Sequence, residues 1–297
     1  MKVKLLTITL AALTMVSFQK ISAQKLPTIE TQLVGLESVA NARELGGYRM
    51  SDGRVIKHGL LLRGGALHAL TPNDVERMER DIRPVYDFDF RTQGEVEHAP
   101  DMAVKGCKYV WLPTIDPQTD KLGTLSLPEH AYRNLPVYLS EHASDPKVKY
   151  VASRMYLDMV ANEYTQLQYA AFLQMLVEAP EGPIYWHCSQ GKDRTGLGSA
   201  FILVALGADK DLIIRDFDMS NEYYRKDVAE LSAKIMEKGW GEEEIKVVRT
   251  FIGANTEYFV EALDFIEKEY GSLMNYVTNV LLLSEDDMRI LRDKFLE

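Results

Sequence analysis

Cys188 and Arg194, with five residues between them, are the two side chains whose types and spacing most directly suggest chemistry. They lie in Pro183-Ile184-Tyr185-Trp186-His187-Cys188-Ser189-Gln190-Gly191-Lys192-Asp193-Arg194-Thr195-Gly196. Apolar and aromatic residues lead into the cysteine, and Thr195-Gly196-Leu197-Gly198 opens a run of small and apolar residues. The segment therefore predicts a strand, a tight loop and a helix start. Successive amides at such a turn converge on one spot and carry partial positive charge, which suits a dianion such as phosphate. The same field favours the thiolate and makes Cys188 a nucleophile toward phosphorus. The planar guanidinium of Arg194 can bridge two phosphoryl oxygens and hold them more tightly as charge spreads in the transition state. The chemistry implied is hydrolysis of a phosphate monoester through a cysteinyl-phosphate intermediate. The competing reading, a small buried core cysteine, fits poorly beside three consecutive charges at Lys192, Asp193 and Arg194.

Within the loop, Ser189, Gln190, Gly191, Lys192 and Asp193 would offer mainly their amides. His187 would hydrogen-bond to the loop backbone and tune the thiolate. The Thr195 hydroxyl could help the thiolate leave phosphorus in the second step. An ammonium from Lys192 at the pocket mouth could neutralise a second phosphate, as on an inositol lipid, or add charge for a single one; the alternative is a solvated loop charge. No cofactor is called for and no metal, since the six histidines show no ligand spacing.

The elements that must hold this loop read as an α/β fold: a central, mostly parallel sheet flanked by helices, with a helical C-terminal part. Strand-like runs cover residues 33–48 and 55–63 around Gly46-Gly47 and the Ser51-Asp52-Gly53 turn. Thr71-Pro72 caps a helix through about Arg80. Pro84 to Phe90 predicts a strand with Asp87 and Asp89 on one parity, and Cys107 to Leu112 predicts another. Helices follow near residues 153–163 and 165–178, and from Asp209 onward the pattern is almost wholly helical.

His187-Cys188-Ser189-Gln190-Gly191-Lys192-Asp193-Arg194-Thr195-Gly196 resembles the loop of the bacterial tyrosine/serine protein phosphatase family, within the Cys-x5-Arg protein tyrosine phosphatase superfamily. Asn41-Ala42-Arg43-Glu44-Leu45-Gly46-Gly47-Tyr48, Leu62-Arg63-Gly64-Gly65, Leu70-Thr71-Pro72, Asp89-Phe90-Arg91, Ser220-Asn221-Glu222-Tyr223 and Glu269-Tyr270-Gly271-Ser272 are similar to further landmarks of that family, in order. Ala42 and Phe90 replace a common aromatic and a common leucine. Between Thr114 and Lys149 no residue-by-residue match holds, and that segment is read as a lid or substrate-selecting face. The resemblance implies phosphotyrosine in proteins as substrate, with phosphoserine or phosphothreonine beside it. It also favours Asp193 as the proton carrier, against a reading in which Asp193 pairs with Lys192 and merely shapes the loop. Asp89, matching a family acid near the site, and Asp116, loosely resembling a mobile-loop acid, are the other candidates. Rival functions are a phosphoinositide or inositol-phosphate phosphatase, a non-catalytic phosphate-binding module and a sulfurtransferase.

At the N-terminus, Lys2 and Lys4 precede an apolar run from Leu5 to Phe18 and the small-residue site before Gln24, the pattern of a secretory signal peptide cut after Ala23. Residues 24–297 would then form a single catalytic domain, exported to the periplasm or secreted, with no stable membrane association. Loss of Lys2, Lys4 and Lys20 takes the formal charge from -10 to -13. That surface argues against nucleic acid as a partner. Cys107 and Cys188 are the two cysteines; a protective disulfide between them and a buried structural Cys107 are both consistent with export.

Overall fold

The structure is a computed structural model that describes residues 28–32, 34–118, 125 and 134–297; the signal-peptide reading and much of the 114–149 segment lie outside these residues. The described chain runs α1 (Ile29–Gln32), β1 (Arg43–Glu44), β2 (Leu61–Gly64), α2 (Pro72–Arg77), β3 (Tyr86–Asp89), α3 (Gln93–His98), β4 (Lys108–Trp111) and α4 (Leu135–Glu141). It continues through α5 (Pro146–Ala161), α6 (Glu163–Glu178), β5 (Ile184–His187), α7 (Asp193–Leu206) and α8 (Lys210–Glu237). The last helices are α9 (Glu242–Phe251), α10 (Thr256–Tyr270), α11 (Leu273–Asn279) and α12 (Glu285–Phe295).

The five strands lie in the order β1-β2-β5-β3-β4, parallel except for β1. This is the mostly parallel α/β sheet the sequence predicts. β5 sits at its centre with all four residues buried, so an apolar run without alternation is what this position requires. The strand runs at residues 33–48 and 55–63 are much shorter than predicted, shrinking to β1 and β2. Gly47 turns the chain at a positive φ, and Val55, Ile56 and Lys57 pair with the C-terminal segment instead of the sheet. A π-helical turn, Met78–Ile82, extends α2 to Arg83, whose left-handed backbone ends it.

The helix after β5 must pack tightly to aim its N-terminus at the site, and its glycines permit this. A Cβ on Gly196 would meet Phe217 at 2.8 Å, and one on Gly198 would meet Phe90 at 2.9 Å. Around them Phe88, Phe90 and Phe172 make edge-to-face contacts, and Phe217 stacks on Phe259 at 3.9 Å. One continuous apolar cluster thus joins the sheet to α5, α6, α7, α8 and α10–α12.

A buried ionic network ties β1 and β2 to α8. Arg63 reaches Asp216 at 2.5 Å, Arg43 lies 3.6 Å from the same carboxylate and bonds the Asp216 carbonyl, and the Tyr48 hydroxyl donates to Asp216 at 3.0 Å. Burial, with Arg43 alongside, lowers the Arg63 pKa to about 10. Removing a partner from such a network leaves an uncompensated buried charge. Asp216→Asn is expected to lower unfolding free energy in urea by about 3–5 kcal/mol. Asp264→Asn, at an exposed pair with Lys210, should cost no more than about 1 kcal/mol; equal losses in the two variants would contradict this account.

Candidate active site

The loop between β5 and α7 is shaped from outside, through its carbonyls. His187 Nδ1 faces the Cys188 carbonyl at 3.2 Å, and the Ala66 amide donates to Ser189 O. The Tyr224 hydroxyl donates to Gln190 O at 2.7 Å, and both Asn41 and Arg63 donate to Gly191 O at 2.8 and 2.9 Å. Arg63 also reaches Lys192 O, and the Tyr169 hydroxyl holds Arg194 O. With the carbonyls drawn outward, the amides turn inward, and no described group accepts from the amides of residues 189–194. Such a concave, electropositive nest is suited to binding a phosphoryl group. Gly191 makes the turn possible: its φ is +66°, and a Cβ there would stand 2.2 Å from the Gly64 carbonyl carbon.

Cys188 lies buried at the base of the nest. Burial alone would raise its pKa, and the Asp193 charge adds to that. The Arg194 guanidinium and hydrogen bonds from the Thr195 hydroxyl and amide outweigh them, so the thiol pKa falls below its ordinary value. The Thr195 hydroxyl is buried and has no hydrogen-bond partner among the described residues, which leaves it free to turn toward the sulfur.

Arg194 is held in a fork by Glu95 of α3, at 2.6 and 2.8 Å, and the Ser189 hydroxyl donates to the same carboxylate. The pair fixes the plane of the guanidinium. Arg194 and its neighbours hold the Glu95 carboxyl well below the ordinary range despite burial. The sequence reading did not single out Glu95. Its signal was the Thr92-x-x-Glu95 capping box that starts α3, but a capping box says nothing of an arginine 99 positions away.

Lys192 does not stand at a pocket mouth. Its side chain is 1% exposed and its ammonium bonds Asp193 at 2.8 Å and the Thr250 carbonyl at the end of α9. The apolar surroundings of α9 leave the charge no better partner than these two. Asp193 receives a second hydrogen bond, from Tyr156 of α5. The pairing with Lys192 weighed from sequence is therefore present, and the two residues anchor the loop to the helical half.

Behind the nucleophile, His187 is fully buried, with Nε2 3.2 Å from carboxylate oxygens of both Asp87 and Asp101 and Nδ1 3.8 Å from Asp89. Burial disfavours the imidazolium, but the Asp87 and Asp89 charges and the contacts to Asp101 and Asp87 raise its pKa well above the ordinary value. Arg91 clamps Asp89 through its side chain and amide and also bonds Asp101. Asp89 is thus a structural anion, unsuited to donating a proton to a leaving group. Asp87, Asp101 and His187 are spaced closely enough to ligate a cation. With His187 protonated, Nε2 offers no lone pair, and Arg91 adds a second cation beside the carboxylates. Asp116 is bound by the Gln118 amide and the Asn162 side chain at the start of α6. Cys107 is a free, half-buried cysteine packed against the cluster that contains Leu62 and Tyr185, separate from that of Cys188, its pKa pushed up to about 12 by burial and Asp87.

A Cys-x5-Arg nest at the end of a central parallel strand, with a depressed thiol and a clamped arginine, defines a cysteine-dependent phosphatase. Residues 34–297 match the model of the tyrosine phosphatase family, and the chain belongs to that family. It is 26% identical to a Cupriavidus necator protein assigned by name alone to the tyrosine-protein phosphatases, over 89% of this chain and 88% of that one. It is 36% identical to the triple specificity protein phosphatase of Mycobacterium tuberculosis over 104 residues, 32% of this chain and 37% of that one.

Alkylation by iodoacetamide across a pH series reads the thiolate directly. Cys188 is expected to titrate below an ordinary thiol, and Thr195→Val should move the midpoint upward. A midpoint unchanged by that substitution would remove Thr195 from the account.

Proposed function

We propose that this protein phosphatase acts on phosphotyrosine in proteins, with phosphoserine and phosphothreonine as further substrates, by way of a cysteinyl-phosphate intermediate. The observation that carries the reading is the nest itself: inward amides, a depressed thiol at its base and Arg194 held planar at its rim. The thiolate attacks phosphorus, the P–O ester bond breaks, and the leaving oxygen takes the proton carried by Asp193. Water then attacks phosphorus, the S–P bond breaks, and the returning thiolate is received by the Thr195 hydroxyl and amide.

Asp193 is the proton carrier in this reading. It is the first residue of α7, and its charge is felt at the Cys188 sulfur. Its carboxylate is positioned by hydrogen bonds from Lys192 and Tyr156; in this reading it gives its proton to the leaving oxygen in the first step and takes one from the attacking water in the second. The inositol-phosphate reading loses its main support with Lys192 buried. The N-terminal pattern of charged, apolar and small residues supports export with removal of residues 1–23, and hence a periplasmic or secreted enzyme.

Phosphate release from a phosphotyrosine peptide, a phosphoserine peptide and inositol phosphates, with Cys188→Ser in parallel, tests the reading. Turnover is expected on peptides, highest on phosphotyrosine, and absent in the variant. The rising limb of kcat/KM with pH should fall below the ordinary thiol value of about 8.5. Turnover of inositol phosphates alone would replace this substrate class.

A further inference from the structure

β4 is an edge strand, and no described residue pairs with its outer side. Lys108 and Leu112 donate to Val85 and Asp89 of the β3 segment. Because a residue in a parallel ladder turns its N–H and C=O to the same side, Tyr109 and Trp111 point theirs away from the sheet. Their side chains are 46% and 42% exposed, yet each is pinned: the Tyr109 hydroxyl donates to Asp89 at 2.9 Å, and the Trp111 indole N–H donates to Arg91 O at 2.8 Å. The result is a rigid, accessible rail of two donors and two acceptors with aromatic rings beside it.

This rail starts level with the reaction. Trp111 is in register with Asp89, and Asp89 with His187, the residue before Cys188. At about 4.8 Å per strand, a strand added outside β4 would lie about 14 Å from β5, a span that about four extended residues cover. We propose that β4 is the docking edge for the substrate phosphoprotein, which adds an extended segment flanking its phosphorylated residue as a sixth strand against Tyr109 and Trp111. The proposal rests on the protein-phosphatase reading of the site. Main-chain pairing gives such a site affinity without strict sequence demand. Lys108, exposed at the start of the edge, supplies the kind of charge that discourages a second copy from pairing there, which favours a transient guest.

Kinetics on phosphotyrosine peptides of increasing length, with p-nitrophenyl phosphate alongside, test it. kcat/KM is expected to rise about tenfold as residues are added on one side of the phosphotyrosine, the worth of one or two net hydrogen bonds. N-methylation of alternate amides on that side should abolish the gain, and methylation of the intervening ones should not. Trp111→Pro deletes an outward amide and spares the β3 ladder. It should reduce the long peptide to the short-peptide value while p-nitrophenyl phosphate changes less than about twofold. Trp111→Phe, which keeps the amide, should retain the gain. Independence from both peptide length and N-methylation overturns the proposal, even if Trp111→Pro fails to fold. A wild-type dimer in sedimentation that Trp111→Pro dissociates also overturns it, since a second copy then owns the edge. If no phosphate ester is turned over, the reading of the site fails separately, and the same length series measured as binding to Cys188→Ser protein still decides the edge.

Discussion

The outward pull on the carbonyls of residues 188–192 is the constraint on which the rest of this structure depends. A nest of inward amides is electrostatically strained when nothing negative lies inside it, and a loop of this composition would relax if left to itself. Asn41, Arg63, Ala66, His187 and Tyr224 prevent that by giving each carbonyl a partner on the far side. Those donors come from β2 and the segments flanking β1 and β2, the central strand and α8, so the loop is the point where separate parts of the chain meet. The Arg43–Arg63–Asp216 network then reads as support for the loop: Asp216 balances the cation that grips Gly191 and Lys192.

Charge pairing follows the same logic on either side of the nucleophile. Arg194 must stay available to phosphate, yet a lone guanidinium in a concave site would wander; Glu95 fixes its plane. Lys192 and Asp193 neutralise one another inside the protein while Tyr156 and Thr250 lock them to α5 and α9. Behind the sheet, His187 and Arg91 offset part of the charge of Asp87, Asp89 and Asp101. The Arg194 guanidinium and the hydrogen bonds from Thr195 outweigh burial and the Asp193 charge, which is why the thiolate is favoured in a buried place.

Much of this was legible beforehand. The strand-loop-helix around Cys188, the central apolar strand, the parallel sheet and most of the C-terminal helices follow from local pattern, since hydrophobic period and capping are properties of neighbouring residues. Strand lengths near residues 33–63 were overestimated because apolar residues there pack under turns and against the C-terminal segment, a distant partner that local pattern does not reveal. Glu95, Asn41, Arg63 and Tyr224 escaped role assignment for the same reason. Each acts on a residue more than 30 positions away.

The sequence by itself determined the Cys-x5-Arg loop, the glycine that bends it and the class of enzyme, because those requirements are met within nine residues. Tertiary structure alone decided which of the two loop cations is spent inside the protein. Lys192 and Arg194 look alike as loop charges two positions apart. Burial against α9 turns the first inward to Asp193 and the Thr250 carbonyl, while Glu95 presents the second at the rim of the nest. The direction in which a side chain leaves a tight loop is set by what packs against it, and that packing comes from residues far along the chain.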